Sequence, residues 1–186
     1  MEETYIPDQT FGREAALTGG EYENCVFNGC DFGGQVLSAF KFADCTFNGC
    51  NFSLANISGT AFRGVRFTDC KMLGLRFDSC NAFGLELAFE GCQLNHSSFY
   101  RMKIKKTVFR RTQLQEVDFA EADLSGAVFD DCNLLQAVFD RTNLEKADFR
   151  TAYSYTLDPE INRIKKARFS LPGVAGLLRK YDIDIE

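Results

Sequence analysis

From residue 22 to residue 149 the chain sets a large apolar residue at every fifth position. Tyr22, Phe27, Phe32, Leu37 and Phe42 open a register that runs unbroken to Phe77. Phe89, Leu94, Phe99, Ile104 and Phe109 open a second that runs to Phe149. Together they make 25 centres and take 15 of the 19 phenylalanines. A period of five is neither the 3.6 of a helix nor the 2 of a flat strand. A chain that aims one residue in five at an axis must turn once per unit. A fixed short period means stacked, near-identical units, none of which can bury its own centre alone.

The residue two before a centre is mostly small: Cys25, Cys30, Cys45, Cys50, Ala55, Thr60, Val65 and Cys70, then Ala122, Ala127, Cys132, Ala137, Thr142 and Ala147. Small there and large at the centre fills a narrow shaft at crystal-like density. The other positions are mostly polar or glycine, as solvent-facing corners require. Charge gives the number of units per coil. Arg101, Glu121 and Arg141 are 20 residues apart and alternate in sign, as do Glu90, Arg110, Asp130 and Arg150. Glu21 with Lys41, Lys103 with Asp123, Arg111 with Asp131 and Lys105 with Glu145 fit the same frame. Opposite charges across neighbouring strands attract, so the spacing predicts four units and 20 residues per coil. The expected fold is an all-β, four-sided β-helix in one domain spanning 1–186. Its parts are a lead-in over 1–19, a β-helix over 20–150, and a cap over 151–186.

Two places break the pattern. Twelve residues separate Phe77 from Phe89, two more than two units need, so 78–88 is expected to bulge from one side. Beyond Phe149 the repeat dissolves and then returns at Phe169, 20 residues on. Ser170 and Pro172 suit the start of a helix running through Val174 to Lys180, and Ile183 and Ile185 alternate with acids as in a short strand. This cap is richer in apolar residues than sealing one coil requires. Leu171, Val174, Leu177, Leu178, Tyr181, Ile183 and Ile185 form a candidate dimer interface.

Chemistry-bearing residues do not converge. All eight cysteines occupy the slot before a centre, where a free thiol acts as a small apolar side chain, and no Cys-x-x-Cys occurs. The single histidine, His96, falls at an outward slot beside Glu116 of the next coil. No phosphate-binding glycine loop is present. These features predict no catalytic residues, no metal and no cofactor. The acidic N-terminus lacks the basic-then-apolar pattern of a secretory signal, and no apolar run is long enough to span a membrane. Free thiols and no signal imply a cytoplasmic protein.

Formal net charge is −5, unevenly spread. Residues 1–100 hold 12 acids and 6 bases, residues 101–150 hold 9 of each, and residues 151–186 hold 5 acids and 6 bases. The basic cluster Arg101, Lys103, Lys105, Lys106, Arg110 and Arg111 falls on ladders shared with acids, so a solvated ion network is expected rather than direct nucleic-acid binding.

Three stretches carry a family resemblance: Val65–Gly74, Phe89–Tyr100, and Ile164–Pro172 continuing to Leu177-Leu178 and Asp182–Ile185. With the five-residue period, they resemble the pentapeptide repeat family, and within it the branch of the albicidin-resistance protein AlbG and the Qnr and MfpA proteins. The resemblance implies a right-handed β-helix and a cytosolic homodimer joined at its C-terminal ends. It also implies a DNA-mimicking role, in which an acidic rod binds DNA gyrase and protects it from inhibitors. On that reading Asp31, Asp44, Asp69, Asp78 and Glu86 form the candidate acidic partner-binding face. The alternative is a generic protein–protein interaction scaffold with an unrelated cytosolic partner.

Overall fold

The repeat turns because one backbone position per unit is left-handed. In the computed structural model, which describes residues 4–38 and 40–184, the residue two after a centre has positive φ in unit after unit. Asn24, Asp44, Asp69, His96, Arg101, Lys106, Glu116 and Glu121 do so at φ between 52° and 61°, and Gly29, Gly49, Gly64 and Gly126 share the slot at 60–70°. Holding ordinary residues there costs roughly 1–2 kcal/mol each. The cost is offset because most corner N–H groups find a carbonyl on the next coil, as in Asn24 to Ala43 at 3.0 Å and Lys106 to Ser125 at 3.0 Å. Asparagine or aspartate just before a centre adds a local bond to the N–H two residues on. Asn51 to Ser53, Asp118 to Ala120 and Asn143 to Glu145 are examples, at 2.9–3.2 Å.

Coils stack in parallel into a solenoid. One side is a sheet of β1 (Tyr5–Pro7), β3 (Gly20–Glu23), β5 (Phe40–Ala43) and β7 (Ala61–Arg63). The next is a seven-stranded sheet of β2 (Thr10–Phe11), β4 (Val26–Asn28), β6 (Thr46–Asn48), β8 (Val65–Thr68), β9 (Leu87–Glu90), β10 (Val108–Arg110) and β11 (Val128–Asp130). The other two sides are tied by single parallel bridges such as Asp31 with Asn51 and Asp118 with Val138. The 20-residue coil holds in Phe27 opposite Phe47 and Phe109 opposite Phe129. The first coil is shorter, with Ile6 opposite Tyr22.

Inside, one column of rings runs nearly the whole length. Phe11, Phe27, Phe47, Phe67, Phe89, Phe109, Phe129, Phe149 and Phe169 stack with centroids 4.5–5.4 Å apart and planes within 20°. Neighbouring columns meet it edge-on, as Phe99 meets Phe109 at 6.1 Å and 83°. Alternating stacked and edge-on contacts suit the aromatic quadrupole. The eight cysteines are free and buried. Thiols in this slot donate to carbonyls: Cys45 bonds Tyr22 and Ala43, both at 3.3 Å, and Cys132 bonds Phe109 and Asp130 at 3.3 and 3.4 Å.

The bulge lies where two extra residues were expected. Val65 pairs with Leu87 and Phe67 with Phe89, 22 residues apart, yet those rings still stack at 5.4 Å and 9°. The surplus is pushed outward, because keeping the ring column intact costs less than shifting every inward side chain. Leu87 wins the burial, Leu85 is half-buried, and Phe83 is left 76% exposed under the Arg63 guanidinium, 5.5 Å from its ring centroid.

The cap departs from expectation in two respects. Its helix α1 covers only Ala175–Leu178, between 3-10 turns at Pro172–Val174 and Arg179–Tyr181. Ser170 does cap the start, accepting from Gly173 N–H at 3.2 Å. Residues 182–184 form no strand, since Asp182 turns left-handed at φ 50°. Ile185 lies outside the described residues.

Candidate functional site

Both ends of the candidate machinery can be built from the coil frame. At the C-terminal end, Tyr155 leaves the repeat and is buried below the cap. Glycine is required above it: a Cβ on Gly173 would lie 2.1 Å from the Tyr155 hydroxyl, and one on Gly176 would lie 2.4 Å from its carbonyl oxygen. Leu157 N–H bonds the Gly176 carbonyl at 3.1 Å. Lys180 reaches Asp158 at 2.6 Å and Glu160 at 2.7 Å, and the Tyr181 hydroxyl donates to Glu160 at 2.7 Å. The Lys180 ammonium holds both carboxyls below the usual carboxylate range. Of the candidate interface residues, Leu171 (89%) and Ile183 (55%) are the most exposed, with Tyr181 and Val174 also outward. Leu177 and Leu178 are half-buried, and Leu177 packs on the core.

The five candidate acids do not share one side. Asp31 stands on the third side, where its carboxylate accepts from Gly33 N–H and the Asn51 amide, both at 2.9 Å. Asp44 and Glu86 lie on the corner between the two sheets. Asp69 is at the next corner, its carboxylate over Gly91, where a Cβ would sit 2.1 Å from Oδ1. Asp78 lies beyond, gripped by Arg76 through Nε at 2.9 Å and Nη2 at 2.7 Å. That guanidinium pulls the Asp78 carboxyl below its ordinary range. Among the described residues, Asp31, Asp44, Asp69 and Glu86 are exposed and make no ion pair.

The ladders are realised in part. Glu121 is held between Arg101 at 2.6 Å and Arg141 at 3.1 Å, and these guanidiniums lower its pKa. Arg110 meets Asp130 at 3.1 Å, and His96 meets Glu116 at 3.3 Å. Elsewhere corner geometry diverts the charge. Arg150 turns to Asp148 at 2.8 Å rather than to Asp130, and Arg111 turns to Glu90 rather than to Asp131. Lys105 bonds Asp123 at 3.3 Å in place of Lys103, while Glu145 takes Arg163 at 2.8 Å in place of Lys105. A 20-residue spacing puts Cα atoms in line, but a long side chain chooses among partners on adjacent columns.

No group of three or more metal-ligating side chains gathers among the described residues. No helix among them is long and apolar enough to cross a membrane. Sequence reasoning did not single out the left-handed corner slot. The recurrence of Asn, Asp and Gly two residues after early centres was the available signal.

A parallel solenoid of four-sided coils with a phenylalanine-filled shaft defines a class of repeat scaffold, one that presents corners and sides. Within that class, the chain belongs to the pentapeptide repeat family: the pentapeptide repeat region matches residues 21–87, 40–119 and 76–149. No curated protein matches by sequence. Among solved structures it is similar to HetL, a pentapeptide repeat protein involved in heterocyst differentiation regulation from the cyanobacterium Nostoc sp. strain PCC 7120. The identity is 15%, covering 91% of this chain and 85% of that one, with a TM-score of 0.55. It is also similar to QnrB1, a plasmid-mediated fluoroquinolone resistance protein, at 20% identity over 99% of this chain and 98% of that one, with a TM-score of 0.49.

Proposed function

We propose that this chain is a non-catalytic, cytoplasmic, DNA-mimicking protein. It binds DNA gyrase or a related type II topoisomerase and modulates it or protects it from inhibitors. It works as a homodimer joined through the cap. The observation that carries this reading is the set of exposed acids without ion pairs, Asp31, Asp44, Asp69 and Glu86, on a half that holds twice as many acids as bases. They project from a filled shaft at multiples of a coil rise of ~4.8 Å, presenting fixed negative charge to a surface built for phosphates. The resemblance of the 65–74, 89–100 and 164–185 stretches to the resistance branch supports the same partner. Outward Leu171, Val174, Tyr181 and Ile183 supply the apolar surface that a two-fold contact needs.

The test is a gyrase supercoiling assay with micromolar protein, with and without albicidin or a fluoroquinolone. The expected result is altered supercoiling or rescue from the drug, weakened by Asp44→Lys with Asp69→Lys. No effect and no rescue would refute the gyrase reading and leave an interaction scaffold for another partner. Leu171→Asp with Ile183→Asp is expected to halve the mass seen by light scattering. An unchanged mass disposes of the cap dimer.

A further inference from the structure

One corner of the rod carries a charge sequence that is its own complement. It is the corner between the two sheets, occupied in successive coils by Asn24, Asp44, Gly64, Glu86, Lys106, Gly126, Lys146 and Lys166. The backbone sets this alignment: Asn24 N–H bonds the Ala43 carbonyl, Asp44 N–H that of Arg63, Lys106 N–H that of Ser125, and Lys146 N–H that of Lys165. Across the bulge, Val65 pairs with Leu87 and Ala88 with Val108, so Glu86 is level with Gly64 and Lys106. Among the described residues, none of Asp44, Glu86, Lys106, Lys146 and Lys166 makes an ion pair, and all are exposed. Acids occupy one half of the column and bases the other.

We propose that two copies of this chain associate side by side and antiparallel along this corner and the adjoining bulged side. A two-fold axis across the rods, between the levels of Glu86 and Lys106, sets each column against itself in reverse. Glu86 then faces Lys106 of the second copy, Gly64 faces Gly126, Asp44 faces Lys146 and Asn24 faces Lys166. On the flanking columns Glu23 falls opposite Lys165 and Glu21 opposite Arg163, and no like charges stand directly opposite. Such an isologous contact closes on itself, and its charge pattern selects antiparallel over parallel pairing, which would oppose like to like.

The bulge supplies the apolar centre. Phe83, exposed and held by Arg63, sits beside the axis on one copy and meets the level of Lys103 and Ile104 on the other. Beside it, around the corner from Phe83, lies a groove of about 600 Å³ in which Leu85, Leu87 and Ile104 are rimmed by charge, Glu86, Lys105 and Lys106 included. The two bulges lie on opposite sides of the axis, with their Phe83 levels one coil step of ~4.8 Å apart. This contact uses surface distinct from the cap, but it covers Asp44 and Glu86, so a copy paired in this way cannot offer those two acids to a gyrase partner.

The experiment starts from the cap variant Leu171→Asp, Ile183→Asp, so that cap association does not contribute. Two charge variants are made on it: Asp44→Lys with Glu86→Lys, and Lys106→Glu with Lys146→Glu. By light scattering at about 100 µM protein and low salt, the parent is expected at twice the 20.9 kDa chain mass. It should return to the chain mass in 1 M salt, where the Debye length is about 3 Å. Each charge variant alone is expected to be monomeric, and an equimolar mixture to recover the doubled mass. Zero-length carbodiimide crosslinking should join Asp44 to Lys146. Within one chain these stand five coil steps apart, roughly 24 Å at the strand spacing, so that product forms only between copies. A monomeric parent at low salt, an undiminished dimer in either variant, or a mixture that stays monomeric would overturn the proposal.

Discussion

Phe109 tests whether the ring column is the main source of cohesion. It is fully buried, stacked on Phe89 and Phe129 at 5.2 Å each, and met edge-on by Phe99 and Phe119 at 6.1 and 6.0 Å. Removing a buried Phe ring costs about 3–5 kcal/mol, including roughly 0.5–1.5 kcal/mol for each aromatic pair. Phe169 is the control: it is half-buried and stacks on one ring alone, Phe149, at 5.4 Å. With half the burial and half the stacking, Phe169→Ala should cost about 2 kcal/mol, against about 4 kcal/mol for Phe109→Ala. The chain lacks Trp, so urea unfolding is followed by far-UV circular dichroism. At an m-value of about 2 kcal/mol/M the midpoints should fall by about 2 M and about 1 M. Phe109→Ala should also lower the apparent m-value, because a nearest-neighbour stack interrupted in the middle unfolds in two parts. Equal shifts for the two variants, or less than about 0.5 M for Phe109→Ala, would refute the account of stacked neighbours as the principal cohesion.

Alkaline pH provides a second test. Burial pushes the thiols of Cys45, Cys80 and Cys132 up to about 12, whereas an unfolded thiol ionises near about 8.5. The unfolded chain therefore releases protons first, and stability falls as pH rises above about 9, by roughly 1.4 kcal/mol per thiol per pH unit. Melting temperature should be flat from pH 7 to 8 and fall by pH 10.5, and Cys→Ala at the three positions should lessen the fall, Cys30 being raised by burial as well; a flat wild-type profile would contradict this. A third test concerns corner strain. Gly29 and Gly91 share φ +64°, but a Cβ at Gly29 meets nothing within 4 Å while one at Gly91 meets Asp69. Gly29→Ala should cost about 1 kcal/mol and Gly91→Ala more, with Asp69→Ala removing the difference in a double-mutant cycle.

Much of the fold was legible in the sequence because a solenoid converts spacing directly into geometry. Each centre from Phe27 to Phe149 is inward because its neighbours above and below are too, and the Phe67–Phe89 stack survives a 22-residue coil because the surplus can leave at a corner. The bulge at 78–88 and the return of the pattern at Phe169 could be read by counting. The ion partners could not. Arg111, Arg150 and Lys105 sit on left-handed or adjoining corner positions, where side chains fan outward and reach a neighbouring column as easily as their own. The cap was legible as a helix start at Ser170 and Pro172, but not in its extent.

The amino-acid sequence by itself determined the period, the four-sided coil, the buried cysteines and the two interruptions. All of these follow from one residue in five having to leave water. Only the tertiary structure decided that Asp31, Asp44, Asp69, Asp78 and Glu86 spread over different sides and corners. It also decided that Phe83 rather than Leu87 stays outside, that Tyr155 requires Gly173 and Gly176 above it, and that one corner bears acids in one half and bases in the other. Those outcomes depend on where each side chain can reach once the coils are stacked, which linear spacing does not specify.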